Sequence, residues 1–335
     1  MLSQNNAQGA FDMGGFSEFL PGHQRMDDPK AREKFEEAWG RKIPAKPGFT
    51  YGEMFDRILE GKIKALYILG EDPFITLPNL ERLRTGIRHL EFLVVQDQFM
   101  PHIGSYANVV LPGASFAEKD GTFTSMERRI QRVREAICPV ADSKPDWKIL
   151  CDLSTRMGYP MEYGGPSEVM AEISSLVPLY ANADYQNLEK AGIQWPLANG
   201  RKRRFFPIEY REPIEQQNEE YPLWILPRGF HYHYGIGTTN KRAKGLAKVF
   251  PETALEINPD DAQRVGVNDL DPVKVISPRG EVETICRISQ ALPKGIAYFA
   301  TQFFPIAINN LLIPERDPVS GTPEYRVCIG RIERR

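Results

Sequence analysis

A parallel α/β domain followed by a small β-barrel is the fold class this sequence predicts. Three observations point to it. Short aliphatic runs at 65–69, 92–95 and 109–111 alternate with helical or turn segments, the signature of strands buried in a parallel sheet. The composition turns strongly charged at 196–220, with Arg201, Lys202, Arg203 and Arg204 followed by Glu209, Glu212, Glu215, Glu219 and Glu220. Beyond that stretch the pattern is mostly strand-like, as in a small barrel. The expected organisation is therefore a Rossmann-like domain over 1–200, a linker over 201–220 and a barrel over 221–335.

Each element has a local cause. Thr50 and Glu53 form a capping-box pattern that opens a helix over 50–60. Met54, Phe55, Ile58 and Leu59 supply its apolar face, and Gly61 stops it. A helix over 79–88 joins the first two aliphatic runs, and a short crossover at 101–106 joins the second and third. Helices follow over 145–157, closed by Gly158, and over 166–177, closed by Pro178. In the second half, strands are expected over 221–226, 273–277, 282–288 and 296–301. Residues 277–280, Ser-Pro-Arg-Gly, read as a hairpin turn. Asn258, Pro259 and Gly266 mark the N-cap, first position and stop of one short helix.

The chain has 335 residues, consistent with roughly two domains at about 150 residues each. Lys plus Arg number 42 and Asp plus Glu 44, so there is no basic excess for coating nucleic acid. The cysteines are Cys138, Cys151, Cys286 and Cys328, too scattered to form a local iron–sulfur or zinc set or a disulfide framework. Reduced thiols suit a cytoplasmic protein. Residues 1–8 lack the apolar core of a signal peptide. The apolar stretch 296–313 contains Thr301, Gln302, Pro305, Asn309 and Asn310, which argues against a membrane span.

Ligands of open α/β sheets bind beyond the carboxyl ends of the strands. Those ends carry Gly70, Glu71, Asp72 and Pro73, then Gln96 and Asp97, then Gly113, Ala114 and Ser115. Asp72 and Asp97 suit hydrogen bonds from ribose hydroxyls or a guanine edge, and Ser115 suits a phosphate. The same residue types are also ordinary turn formers. Neither a G-x-G-x-x-G nor a Walker A sequence is present. A second candidate runs over 228–238, where His231 and His233 share one face of a strand. Hydrogen bonding or core packing is the plainer reading of that pair. A metal site needs a third ligand, and His102 has nothing to place it nearby. Arg128 and Arg132 are helically spaced, which reads as a solvated helix face or a phosphate or subunit contact. Asn309 and Asn310 beside an apolar run need partners, from a ligand or from loop backbone. No hydrolase triad or metalloprotease motif is present.

Many ordered matches give the chain a resemblance to a known family. They include residues 4–10, Gln-Asn-Asn-Ala-Gln-Gly-Ala, with Asp12, Met13 and Gly14, then 69–73, 94–97 and 107–112. They continue at 116–124, Phe-Ala-Glu-Lys-Asp-Gly-Thr-Phe-Thr, with Glu127, Arg128, Arg129 and Gln131, at 145–147 and 256–259, and at 317–325. The chain resembles the C-terminal half of the catalytic alpha subunit of molybdopterin-dependent formate dehydrogenases. The resemblance implies a bound molybdenum or tungsten carried by two molybdopterin guanine dinucleotides (bis-MGD), and a double-psi type of barrel as the cap.

By that resemblance Gly70, Glu71, Asp72, Gln96, Asp97, Ser115 and Asp146 hold the guanosine and phosphate end. His231, Tyr232, His233, Gly235, Thr238, Asn310, Tyr325 and Arg326 meet the pterin and its phosphates. Gln4 is the residue placed nearest the reacting carbon, and no metal ligand falls in this chain. The family's arginine position is Leu2 here, Ser3 replaces a glycine, and Phe11 stands where close relatives carry cysteine. The implied reaction is reversible oxidation of formate to carbon dioxide. The metal ligand, the iron–sulfur cluster and the other dinucleotide site are then expected on a partner chain, with electron-transfer subunits beyond it. The alternatives are another molybdopterin oxidoreductase, of the nitrate reductase type, and a non-catalytic structural or cofactor-binding subunit.

Overall fold

The computed structural model describes residues 5–195, 205, 207, 209–210, 212–229, 237–249, 254–300, 308–316 and 326–335. The chain begins with α1 (Ala7–Asp12), a small hairpin of β1 (Phe19–Leu20) and β2 (Gln24–Arg25), and α2 (Pro29–Trp39). The α2 helix opens on Asp28, whose carboxylate accepts from Lys30 N, and closes at Gly40 in the left-handed region. Phe35 is its buried anchor.

The parallel sheet comes next. Helix α3 (Tyr51–Leu59) opens with the expected reciprocal cap: Thr50 N donates to Glu53 Oε2 at 2.8 Å, and Glu53 N donates to Thr50 Oγ1 at 3.4 Å. Then follow β3 (Ala65–Leu69), the short α4 (Pro73–Thr76), α5 (Leu80–His89), β4 (Phe92–Asp97) and, after a 3-10 turn at His102–Tyr106, β5 (Val109–Pro112). The strands lie in sequence order and all run parallel. Phe55 and Ile58 of α3 and Leu80, Leu83 and Ile87 of α5 form one core with Ile68, Leu93 and Val95 of the sheet.

The rest of the first half departs from a simple Rossmann-like unit. Strands β6 (Gly121–Thr124) and β7 (Arg129–Val133) pair antiparallel. After α6 (Asp146–Arg156), α7 (Pro166–Leu176) and α8 (Tyr185–Lys190), β8 (Ile193–Gln194) joins β7. This corrects the helical reading of Arg128 and Arg132. Arg128 sits at a hairpin corner with φ of 68°, stacked over Trp195, and Arg132 is on strand β7. Ile130 points into the core between them, while Arg132 lies 3.7 Å from the Tyr185 ring centroid and pairs with Asp120 and Glu189. An i, i+4 arginine pair is compatible with both periods, and the tertiary pairing decides.

The second half closes into a six-stranded barrel. Its elements are β9 (Leu223–Arg228), α9 (Lys244–Val249), β10 (Ala254–Ile257), α10 (Pro259–Val265), β11 (Pro272–Ser277), β12 (Gly280–Ile288), β13 (Ile296–Ala300) and β14 (Cys328–Arg334). The strand order is β10-β12-β11-β14-β9-β13, closing on β10. The hairpin turn falls where expected, with Ser277 opposite Gly280. Asn258 caps α10 through Asp260 N at 2.8 Å, and Gly266 ends it with φ of 69°. Leu223, Ile225, Leu255, Val273, Val275, Phe299 and Ile332 fill the barrel interior. Glu215 of the charged stretch is tied to the barrel by Arg279 and accepts from Ile329 N.

The barrel sits against the α/β region. Arg316 bridges Asp56 at 2.9 Å and donates to Gly52 O at 2.8 Å. Asn309 Nδ2 donates to the Ile75 carbonyl, so the backbone of the short α4 helix is what satisfies that amide. Arg242 lies over the Phe99 ring, just beyond β4. Among the described residues no helix is long and apolar enough to cross a membrane.

Candidate functional site

The carboxyl ends of β3, β4 and β5 lie side by side, where open α/β sheets place their ligand crevice. Gly70 follows β3 in the left-handed conformation, φ of 64°, and its N–H donates to Gln96 O at 2.8 Å. Gly113 N donates to Asp97 O at 3.0 Å and ties the β5 loop to the end of β4. A Cβ at Gly113 would lie 2.8 Å from Asp146 Oδ1, so a side chain there would push that carboxylate aside. Asp146 enters from the first turn of α6.

A polar chain crosses this crevice. Tyr67 Oη donates to Gln96 Oε1, and Gln96 Nε2 donates to Asp146 Oδ1 at 2.7 Å. Lys119 Nζ donates to the other oxygen of Asp146. Gln96 is fully buried. Neither Tyr67 nor Lys119 was singled out from sequence, because their partners lie 29 and 27 residues away.

The acidic groups divide into two kinds. Asp72 is drawn into the fold. Its carboxylate accepts from His102 N at 2.6 Å, from the His102 ring at 2.8 Å and from Phe74 N at 3.3 Å. It is 3% exposed, so it holds the loop together with its side chain already engaged. Burial pushes the Glu71 carboxyl above its ordinary range, with Asp72 and Asp97 adding to the effect. Burial does the same to Asp97, where Asp72 and Asp146 add repulsion against the partial relief of the Gln98 and Phe99 amides. Desolvated carboxyls of this kind gain from any ligand that brings N–H or O–H donors.

Seven of the expected residues thus meet at the strand ends: Gly70, Glu71, Asp72, Gln96, Asp97, Ser115 and Asp146. Ser115 opens a 3-10 turn, and its N–H donates to Glu118 Oε2 at 2.7 Å. Asn310 stands apart from that cluster. Asn310 lines a separate cavity with Arg84, Arg279 and Gly280, between the start of α5 and the β11–β12 hairpin. Thr238 lies just before the 3-10 turn Asn240–Arg242, and Arg326 is exposed ahead of β14. Gln4, His231, Tyr232, His233, Gly235 and Tyr325 lie outside the described residues. Among the described residues no cluster of three His, Cys, Asp or Glu side chains is placed to hold a metal. Burial raises the Cys286 thiol to about 11 and the Cys328 thiol to about 12, which holds both as neutral core residues.

The N-terminal motif has a buried centre that sequence reasoning passed over. Asp12 is fully buried on α1. Its carboxylate accepts from Gln8 at 2.7 Å, Tyr180 Oη at 2.9 Å and Trp195 Nε1 at 3.1 Å, and meets the His23 ring at 2.8 Å. Two of those partners are more than 160 residues away, so no local signal shows them.

Comparison with known proteins places the chain among relatives. Residues 2–156 match the molybdopterin oxidoreductase family model, and residues 223–329 match the molydopterin dinucleotide binding domain. Together these cover most of the chain, which carries a molybdopterin oxidoreductase domain followed by a molydopterin dinucleotide binding domain. Its relatives include formate dehydrogenase alpha subunits. The chain is 36% identical to the F420-dependent formate dehydrogenase subunit alpha of Methanocaldococcus jannaschii, over 100% of this chain and 52% of that protein. It is 35% identical to formate dehydrogenase H of Escherichia coli, over 98% of this chain and 49% of that protein. The chain therefore spans about half the length of these relatives. The acetylene hydratase of Pelobacter acetylenicus superposes with a TM-score of 0.71 at 16% identity, over 91% of this chain and 49% of that one, which establishes the shared fold.

Proposed function

We propose that this chain is the C-terminal part of the catalytic unit of a molybdopterin formate dehydrogenase. Its role is to hold one guanine dinucleotide of a molybdenum or tungsten cofactor. The strand-end crevice carries this reading. Guanine presents ring N–H and amino donors and ribose presents hydroxyls, and the crevice offers desolvated acceptors at Glu71 and Asp97. Gly70 and Gly113 leave room for close approach to the backbone. Lys119, beside Asp146, supplies positive charge toward the phosphate end. Thr238, Asn310 and Arg326 of the barrel serve the pterin side, as do the residues of 231–235.

When bound, the cofactor supplies the redox centre for reversible oxidation of formate to carbon dioxide. This chain binds and orients it. The metal ligand and the iron–sulfur cluster sit on a partner chain in the cytoplasm, and electrons leave through further subunits. Leu2 at the family's arginine position favours, as a second reading, an oxidoreductase acting on nitrate or a non-catalytic cofactor-holding subunit. The test is to purify the chain with its co-occurring partners and assay dye reduction with formate and dye oxidation with nitrate, alongside metal content. Formate activity with bound molybdenum or tungsten is expected. Activity with nitrate alone, or a loaded complex inert to both, moves the assignment to the second reading.

A further inference from the structure

A cavity of about 270 Å³ lies between the β6–β7 hairpin and helices α6 and α7. Its walls are mostly apolar. Phe123 and Val133 come from the hairpin, Trp147 from α6, and Val169, Met170 and Ile173 from α7. Tyr185, the first residue of α8, also lines it. Lys119 and Asp146 are shared with the crevice at the strand ends, so the two spaces are neighbours.

The polar groups here are unevenly satisfied. The Tyr185 hydroxyl is buried and has no hydrogen-bond partner among the described residues. Burial pushes that phenol up to about 12, with Asp120 adding to the effect against the Arg132 charge, so it stays a neutral O–H donor. The Arg132 guanidinium lies 3.7 Å from the centroid of the same ring, and its Nε is likewise buried without an acceptor. What this place lacks is an acceptor. Charge, by contrast, is matched: Lys119 pairs with Asp146, and Arg132 pairs with Asp120 and Glu189.

A buried donor without an acceptor is costly, and each one in a folded protein calls for an explanation. A charged ligand would have to break one of the ion pairs or bury its charge uncompensated. An apolar cavity of about 150 Å³ takes up benzene, so this one has room for two fused rings. From these observations we infer that the cavity is a binding site for a small, neutral, planar compound of two fused rings that carries a carbonyl or ring-nitrogen acceptor. Its rings lie against Phe123, Trp147 and Met170, since aromatic faces and a thioether both suit a flat ring. Its acceptor meets the Tyr185 hydroxyl. Glu71 and Asp97 do not line the cavity, so the site is separate from the acceptors assigned to guanine, and the inference stands apart from the function proposed above. Ordered water is the competing occupant: it would satisfy Tyr185 but gains nothing from the apolar walls.

The test is equilibrium dialysis of the full chain against two probes. Coumarin has two fused rings and a lactone carbonyl, and naphthalene has the rings and no acceptor. Coumarin is expected to occupy one saturable site per chain. Tyr185→Phe keeps the ring beneath Arg132 and removes the hydroxyl. It should weaken coumarin binding about fivefold, the worth of one neutral hydrogen bond, and leave naphthalene binding unchanged. Val169→Trp fills the cavity and should abolish binding of both probes. If Val169→Trp misfolds, the Tyr185→Phe comparison still decides. Absence of saturable coumarin binding at millimolar concentration overturns the inference and leaves ordered water as the occupant. So does an equal effect of Tyr185→Phe on the two probes, or coumarin binding that survives Val169→Trp in a folded chain.

Discussion

The barrel and the three-stranded sheet use similar aliphatic strands and finish them differently. The barrel closes β13 onto β10 and leaves no open edge, and its inward residues fill a sealed interior. The sheet buries one face under α3 and α5 and, among the described residues, leaves the other face part-exposed and the β3 edge unpaired. A region that completes its own core buries its apolar strands on all sides, whereas one packed on a single face leaves apolar side chains toward solvent. The polar chain of Tyr67, Gln96 and Asp146 lies on the side away from α3 and α5, so it and the exposed apolar face are parts of one surface.

Substitutions sharpen this contrast. The largest effect is expected inside the barrel, where Phe299→Ala should cost about 3–5 kcal/mol in urea unfolding of the isolated chain. The matching Phe92→Ala on the bare face should cost within about 0.5 kcal/mol, as at an ordinary surface position. Equal losses at the two positions would break the comparison. Gly113→Val comes next. Its added carbon atoms collide with Asp146, so a destabilisation of about 1–3 kcal/mol is expected, with a fall in dinucleotide content of the purified complex.

Acid–base behaviour should give a smaller effect with a definite sign. Glu71 and Asp97 have raised folded-state values, so the folded chain holds protons that the unfolded chain releases. Their contribution is fully present below the ordinary carboxylate range and is lost as pH rises through the raised values. Thermal unfolding of the ligand-free chain should therefore show Glu71→Gln gaining stability relative to the parent at neutral pH and little difference in acid. A parent chain that these two groups stabilise as pH rises would reverse the sign. The smallest effect belongs to Val109→Ser, within about 0.5 kcal/mol for the isolated chain.

Local chemistry made much of the fold readable in advance. The Thr50–Glu53 cap, the Asn258-Pro259 start and the Gly266 stop each act within a turn, so they survive in any tertiary context. The strand ends of the crevice were legible because parallel strands place their ligand loops at one end. What stayed hidden depends on distant partners. Asp12 needs Tyr180 and Trp195, and Asp146 needs Gln96 and Lys119, none of them near in sequence. The α2 helix escaped notice because only Ala31 and Phe35 of its eleven residues are buried. Gly330 in β14 carries no local signal either. Its place follows from the close approach of Ile225, which an added Cβ would meet at 2.3 Å.

The most direct test of this protein as a cofactor-holding half of a molybdopterin enzyme is the guanine released from its purified complex, measured against the amount of this chain. Guanine recovered in stoichiometric amount, together with pterin and with molybdenum or tungsten, is the expected result. A folded, fully assembled complex that releases no guanine would contradict it.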